Sequence, residues 1–153
     1  MADYSLICKT LIELVKGVPY PIANMANASA LLFQEVEDVN WAGFYLSQGD
    51  RLVLGPFQGK PACIEIPMGQ GVCGTAAKSG ETLVVEDVHE FPGHIACDGA
   101  SNSEIVIPLK RRDVVFAVLD LDSPKKGRFT AADKAGLEVF ARALEQYLFP
   151  AGM

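Results

Sequence analysis

The chain has 153 residues, half of them apolar and 21% charged, a composition that supplies a packed core and excludes disorder. Thirteen basic residues against 19 acidic ones leave a formal charge of −6, which repels phosphate backbones and argues against a nucleic-acid partner. No apolar run approaches the ~20 residues of a membrane span. The opening MADYSLICKT places an acid where a secretory leader carries basic residues, so one cytosolic domain spanning the chain is expected.

Tyr4 to Val15 carries Leu6, Ile7, Leu11, Leu14 and Val15 at helical spacing and stops at Gly17. A second helix is predicted from Ile22 to Gln34, on a small-residue face of Ala23, Ala26, Ala28 and Ala30. The period then changes. Asn40 to Leu46 reads as a strand that Gly49-Asp50 turns back into Arg51 to Leu54, and Ala62 to Ile66 as a further strand closed by Pro67. Gly69 to Ala77 is a glycine-rich lead into a short helix ending at Gly80, followed by an apolar strand from Thr82 to Val85. Glu86 to Asn102 shows no period and is the longest irregular stretch, and such loops in compact domains are usually functional. Two strands follow, Glu104 to Leu109 and Val114 to Asp122. A closing helix runs from Ala131 to Leu148, with Thr130 as N-cap and Asp133 at the capping-box position. Terminal helices around about six hairpin-connected strands predict an α+β fold, an antiparallel sheet with helices packed on it.

Four cysteines in a cytosolic chain do not make a disulfide framework, because that compartment keeps thiols reduced. Cys97 lies among His94, Asp98, Gly99 and Ser101, a polar setting; a reactive thiolate and an incidental loop cysteine both fit it. Cys63 alternates with Glu65 on one face of its expected strand, leaving Ala62, Ile64 and Ile66 on the other, which points it at a cavity. For Cys73, between Val72 and Gly74, packing is expected ahead of chemistry, and for Cys8 packing is the default. There is no C-x-x-C pair, and His94-x-x-Cys97 is half a zinc motif at best, so no metal is expected.

Strand alternation in Val118-Leu119-Asp120-Leu121-Asp122 puts the two aspartates on one face and the two leucines on the other. Such a pair binds an ammonium group or a metal, or else marks a solvated strand edge. Glu104 opens an apolar strand, where burial would raise its pKa and suit it to donate a proton. Trp41, the only tryptophan, fits either a core or a binding site.

Gly69-Gln70-Gly71-Val72-Cys73-Gly74-Thr75-Ala76, Asp87 through Asp98 and Ser103-Glu104-Ile105-Val106 strongly resemble the free methionine-(R)-sulfoxide reductases, as do Asn40 through Tyr45 and Leu119 through Ser123. The resemblance covers nearly the whole chain, with three cysteines in register. It implies a GAF fold, with about six antiparallel strands, terminal helices on one side and pocket-closing loops on the other. It also implies Cys97 as the thiol attacking the sulfoxide sulfur, Cys63 as its resolving partner, and Cys73 as a third cysteine, resolving or nucleophilic. Glu104, Asp120 and Asp122 match the pocket carboxylates, with Trp41 and Tyr45 as pocket aromatics. The expected chemistry needs no cofactor: free methionine-(R)-sulfoxide becomes methionine, a Cys sulfenic acid forms and closes to a disulfide, and thioredoxin restores the thiols. A homodimer is the expected assembly. Two rival readings stand beside it, a non-catalytic GAF small-molecule sensor and a zinc-stabilised interaction protein.

Overall fold

The structure, a computed structural model, describes residues 2–94 and 99–148. Helix α1, Tyr4–Val15, starts where the Asp3 side chain accepts a hydrogen bond from the Leu6 amide, and its Ile7, Leu11 and Val15 recur every four residues on the buried face. Helix α2, Pro21–Glu35, opens on proline, whose missing N–H costs nothing in the first turn. Helix α4, Ala131–Leu148, has the predicted bounds and cap. The Thr130 amide donates to Asp133 Oδ2 at 2.9 Å, and the Asp133 amide donates back to Thr130 Oγ1 at 3.2 Å.

Six strands form one antiparallel sheet: β1 Trp41–Gln48, β2 Arg51–Gly59, β3 Glu65–Pro67, β4 Leu83–Val85, β5 Ser103–Arg111 and β6 Val114–Ser123. Their order is β3-β2-β1-β6-β5-β4, so β1 and β6 sit at the centre. Period-two alternation sorts each central strand between two interiors. Ala42 and Phe44 of β1, Ile105, Ile107 and Leu109 of β5, and Ala117, Leu119 and Leu121 of β6 join the core beneath α1, α2 and α4. Trp41, Tyr45, Val106 and Val118 face the other way, into a smaller core completed by helix α3, Gly71–Ser79. The terminal helices do share one side, but the pocket side also carries α3.

Two predicted strands differ from those observed. Strand β2 runs on to Gly59 through Gly55-Pro56, which the sequence pattern reads as a stop. Strand β3 starts at Glu65, so Cys63 and Ile64 lie outside the sheet and the expected alternation fails. Ile64 is 71% exposed whereas Ile66 is 4% exposed, so the two do not share an environment. The stretch from Glu86 to Asn102 includes one short 3₁₀ turn, Val88–Glu90, which Asp87 caps by accepting from the His89 amide. No helix among the described residues is long and apolar enough to cross a membrane.

Candidate active site

Cross-strand register assembles the site. Trp41 pairs with Asp122 and Asp122 with Glu104, so one row across β1, β6 and β5 reads aromatic, acid, acid. The next row reads Gly43, Asp120, Val106. Side chains in directly opposed positions lie close enough to interact, so three carboxyl groups share one patch of the pocket face. Glu104 is 7% exposed and Asp120 5% exposed, which excludes the solvated-edge reading for Asp120, while Asp122 is half-buried. Cys73, on α3, closes over them, its Sγ 3.8 Å from Glu104 Oε2.

The electrostatics follow from crowding like charges in a dry place. Burial, then the charge of Asp120, pushes the Glu104 carboxyl well above its ordinary range. Burial and the neighbouring Asp122 push Asp120 up to about 8. The Cys73 thiol is raised by burial and by the same acids, so it is a poor thiolate. Among the described residues, Asp120 Oδ1 is buried without a hydrogen-bond partner, an arrangement that asks for a donor from outside. No lysine or arginine stands among the described lining residues. The ligand atoms of Cys73, Glu104 and Asp120 lie within 4.8 Å of one another, a cluster that could also receive a metal ion and differs from the His94-x-x-Cys97 half-motif.

The remaining wall is aromatic. Trp41 stacks on Tyr45 at 5.9 Å and on Phe57 at 5.1 Å between ring centroids. Gly43 makes room for this stack, since a Cβ there would lie 2.2 Å from Phe57 Cβ. Trp41 Nε1 donates to the Lys60 carbonyl at 3.1 Å and Tyr45 Oη to the Cys63 carbonyl at 2.9 Å. Cys63 is half-buried and disulfide-bonded, whereas Cys8 and Cys73 are free thiols. Cys8 belongs to α1 and packs beside the helix-side core, away from the pocket. Cys97 lies outside the described residues. His94 lines the pocket, and burial together with the nearby His89 lowers its pKa.

The GAF domain family matches residues 21–148. The free methionine-R-sulfoxide reductase of Escherichia coli is 54% identical over 135 residues, covering 88% of this chain and 82% of the relative. The chain belongs to the free methionine-R-sulfoxide reductase family. In structure it is similar to the reduced form of fRMsr from Staphylococcus aureus, with a TM-score of 0.94, 46% identity and 97% of each chain covered. It is also similar to free methionine-R-sulfoxide reductase from Neisseria meningitidis in complex with its substrate, with a TM-score of 0.91 and 41% identity over 95% of this chain and 87% of that one.

Of the residues that the sequence nominates for a reductase of this family, Trp41, Tyr45, Cys73, Glu104, Asp120 and Asp122 all line one pocket. Cys63 packs at its side, next to the lining residue Ala62. Sequence reasoning missed Phe57, which lies past the point where the predicted β2 ends. It also missed Ser101, a small polar residue in an aperiodic stretch, which lines the pocket. The glycine between Trp41 and Tyr45 was the available signal for Phe57, because a glycine on a pocket face implies a large neighbour.

Proposed function

We propose that this chain reduces free methionine-(R)-sulfoxide to methionine with Cys97 as nucleophile. The observation that carries the reading is the patch of three carboxyl groups beside an aromatic wall, with no lysine or arginine among the described lining residues. Two jobs are open to such a patch. A carboxylic acid kept neutral can donate to a sulfoxide oxygen, and ionised carboxylates can receive an ammonium group. Glu104 suits the first job because burial keeps its proton on. Asp122 suits the second, and so does Asp120 once an incoming ammonium group displaces the proton that burial keeps on it, one of its oxygens lacking a partner among the described residues. Trp41 and Tyr45 offer apolar surface to the methyl group.

The Cys97 thiolate attacks the sulfoxide sulfur while Glu104 protonates the oxygen. Methionine leaves, reduced by two electrons, and Cys97 holds the oxygen as a sulfenic acid, oxidised by two. The Cys63 thiol then displaces that oxygen as water and forms a disulfide. A disulfide at Cys63, with Cys8 and Cys73 free, favours Cys63 over Cys73 as the resolving residue. Thiol exchange with a thioredoxin-type dithiol in the cytosol restores the enzyme. A homodimer belongs to the same reading, with the helical side, where Leu6 and Ile22 are each 60% exposed, as the face available for it.

The test offers both epimers of methionine sulfoxide, free and N-acetylated, with dithiothreitol as reductant. We expect loss of the free (R) epimer only, and none in Cys97→Ser. An acetylated amine cannot make the charge-assisted bond to Asp120 and Asp122, which is worth about 1.5–3 kcal/mol, or roughly 10–150-fold in kcat/KM. Equal rates for free and acetylated substrate would remove the aspartates from amine recognition. No turnover of either would leave the sensor reading.

A further inference from the structure

Residues 60–64, between β2 and β3, lie outside the sheet, so their backbone groups need partners elsewhere. Three carbonyls of this stretch have them. Lys60 accepts from Trp41 Nε1 at 3.1 Å, Cys63 from Tyr45 Oη at 2.9 Å, and Ile64 from the Leu54 amide at 2.9 Å. Two of these three donors are rings of β1 that also line the pocket. Apolar burial is confined to Ala62 and Cys63, which pack partly against the pocket-side core, whereas Ile64 is 71% exposed and Lys60 and Pro61 are exposed. The rings themselves are buried at the centre of the sheet and stacked on one another. A rigid wall therefore holds two carbonyls of this stretch, alongside the Cys63 disulfide and the Leu54 amide, and it remains in place when the disulfide is reduced.

We propose that Tyr45 is a positioning residue for Cys63, its hydroxyl fixing the backbone that carries the resolving thiol and so setting how fast the sulfenic acid closes to a disulfide. The inference rests on the assignment of Cys63 as the resolving residue. Closure joins the Cys63 and Cys97 sulfurs, breaks the S–O bond of the sulfenic acid and releases the oxygen as water, which takes up the Cys63 proton. No outside reagent enters. An intramolecular displacement of this kind runs at a rate proportional to the time its two sulfurs spend in reach, which a tether raises. Tyr45 remains a donor because burial and the charge of Asp120 raise its pKa.

Tyr45→Phe removes one oxygen and leaves the stacked ring in place. Loss of a neutral hydrogen bond of ~0.5–1.5 kcal/mol corresponds to about a 2- to 10-fold change in rate. In rapid-quench single turnovers of the full chain, we expect disulfide closure to slow by that factor and by more than methionine release does. Sulfenic acid trapped by a cyclic dione should then accumulate. Amide exchange within residues 60–64 should rise in Tyr45→Phe and stay at the wild-type rate in Tyr20→Phe, a change at an exposed ring. Unchanged exchange in Tyr45→Phe would overturn the tether, and closure and release slowing in parallel would overturn its role in resolution. Wild-type turnover without any Cys63 disulfide would overturn the resolving assignment and this proposal with it. That failure is distinguishable, because exchange would still report the tether.

Discussion

A carboxylic acid donates a proton only while it still holds one, and at neutral pH that requires an environment hostile to its anion. Glu104 has such an environment twice over, from burial and from Asp120 beside it. Its replacement by glutamine keeps the shape and the hydrogen-bonding capacity but removes the transferable proton. General-acid help contributes about 10²–10⁴-fold, so Glu104→Gln should slow single-turnover methionine release by that much while changing substrate affinity far less. A rate within a factor of two of wild type would take Glu104 out of the donor role. Cys73 sits in the same patch with its thiol raised by burial and the acids. Its free state and its contact with Glu104 fit a residue that shapes the donor better than one that attacks.

At the scale of elements, legibility tracked how strongly a local rule was obeyed. Strand β6 was readable because acid and leucine alternate without interruption, and the two faces follow that alternation, the leucines entering the helix-side core and the acids the pocket. Helix α4 was readable because its cap is written in Thr130 and Asp133, and both reciprocal hydrogen bonds form. Residues 60–64 were unreadable in the same terms. Two of their carbonyls are taken up by Trp41 and Tyr45, which are distant in sequence, so a period-two pattern around Cys63 was an accident of composition. Phe57 was hidden by Gly55-Pro56, which suggest a stop although the strand continues past them. The α4 cap also does more than its sequence shows. Asp133 accepts from Tyr4 Oη at 2.7 Å and from Arg128 at 2.9 Å, so one carboxylate ties α1, the β6–α4 turn and the start of α4. Removing one partner of a fully buried ion pair costs about 3–5 kcal/mol, an upper bound here because Arg128 is only partly buried, whereas loss of an N-cap alone costs about 1 kcal/mol. Denaturant melts should therefore show Asp133→Ala as several times more destabilising than Thr130→Ala. Equal losses would mean that Asp133 acts only as a cap.

For the whole molecule, the pocket acids imply that stability depends on pH in a direction opposite to the usual one for carboxylates. Glu104 and Asp120 hold protons more tightly folded than unfolded. Between the ordinary carboxylate value of about 4 and the value of about 8 for Asp120, the native state therefore carries more protons, and stability falls as pH rises. Asp133 works the other way. Burial alone would raise its pKa, but hydrogen bonds from Thr130 and Tyr4 and the Arg128 charge bring it down, so its contribution is lost on acidification. Thermal melts should peak in mildly acid buffer and decline toward pH 8, and Asp120→Asn should flatten the decline. Parallel curves for the two proteins across that window would show that Asp120 does not carry the proton. The central position of β6 has a last consequence, for quality control rather than chemistry. Because Leu119 and Leu121 must enter the helix-side core for the chain to fold at all, Asp120 and Asp122 are delivered to the opposite face by the same pairing. A slip of one residue would bury the acids under the helices and unfold the protein. The cell then has no well-folded but disarmed version to tolerate, since the misassembled chain exposes its own error to proteolysis.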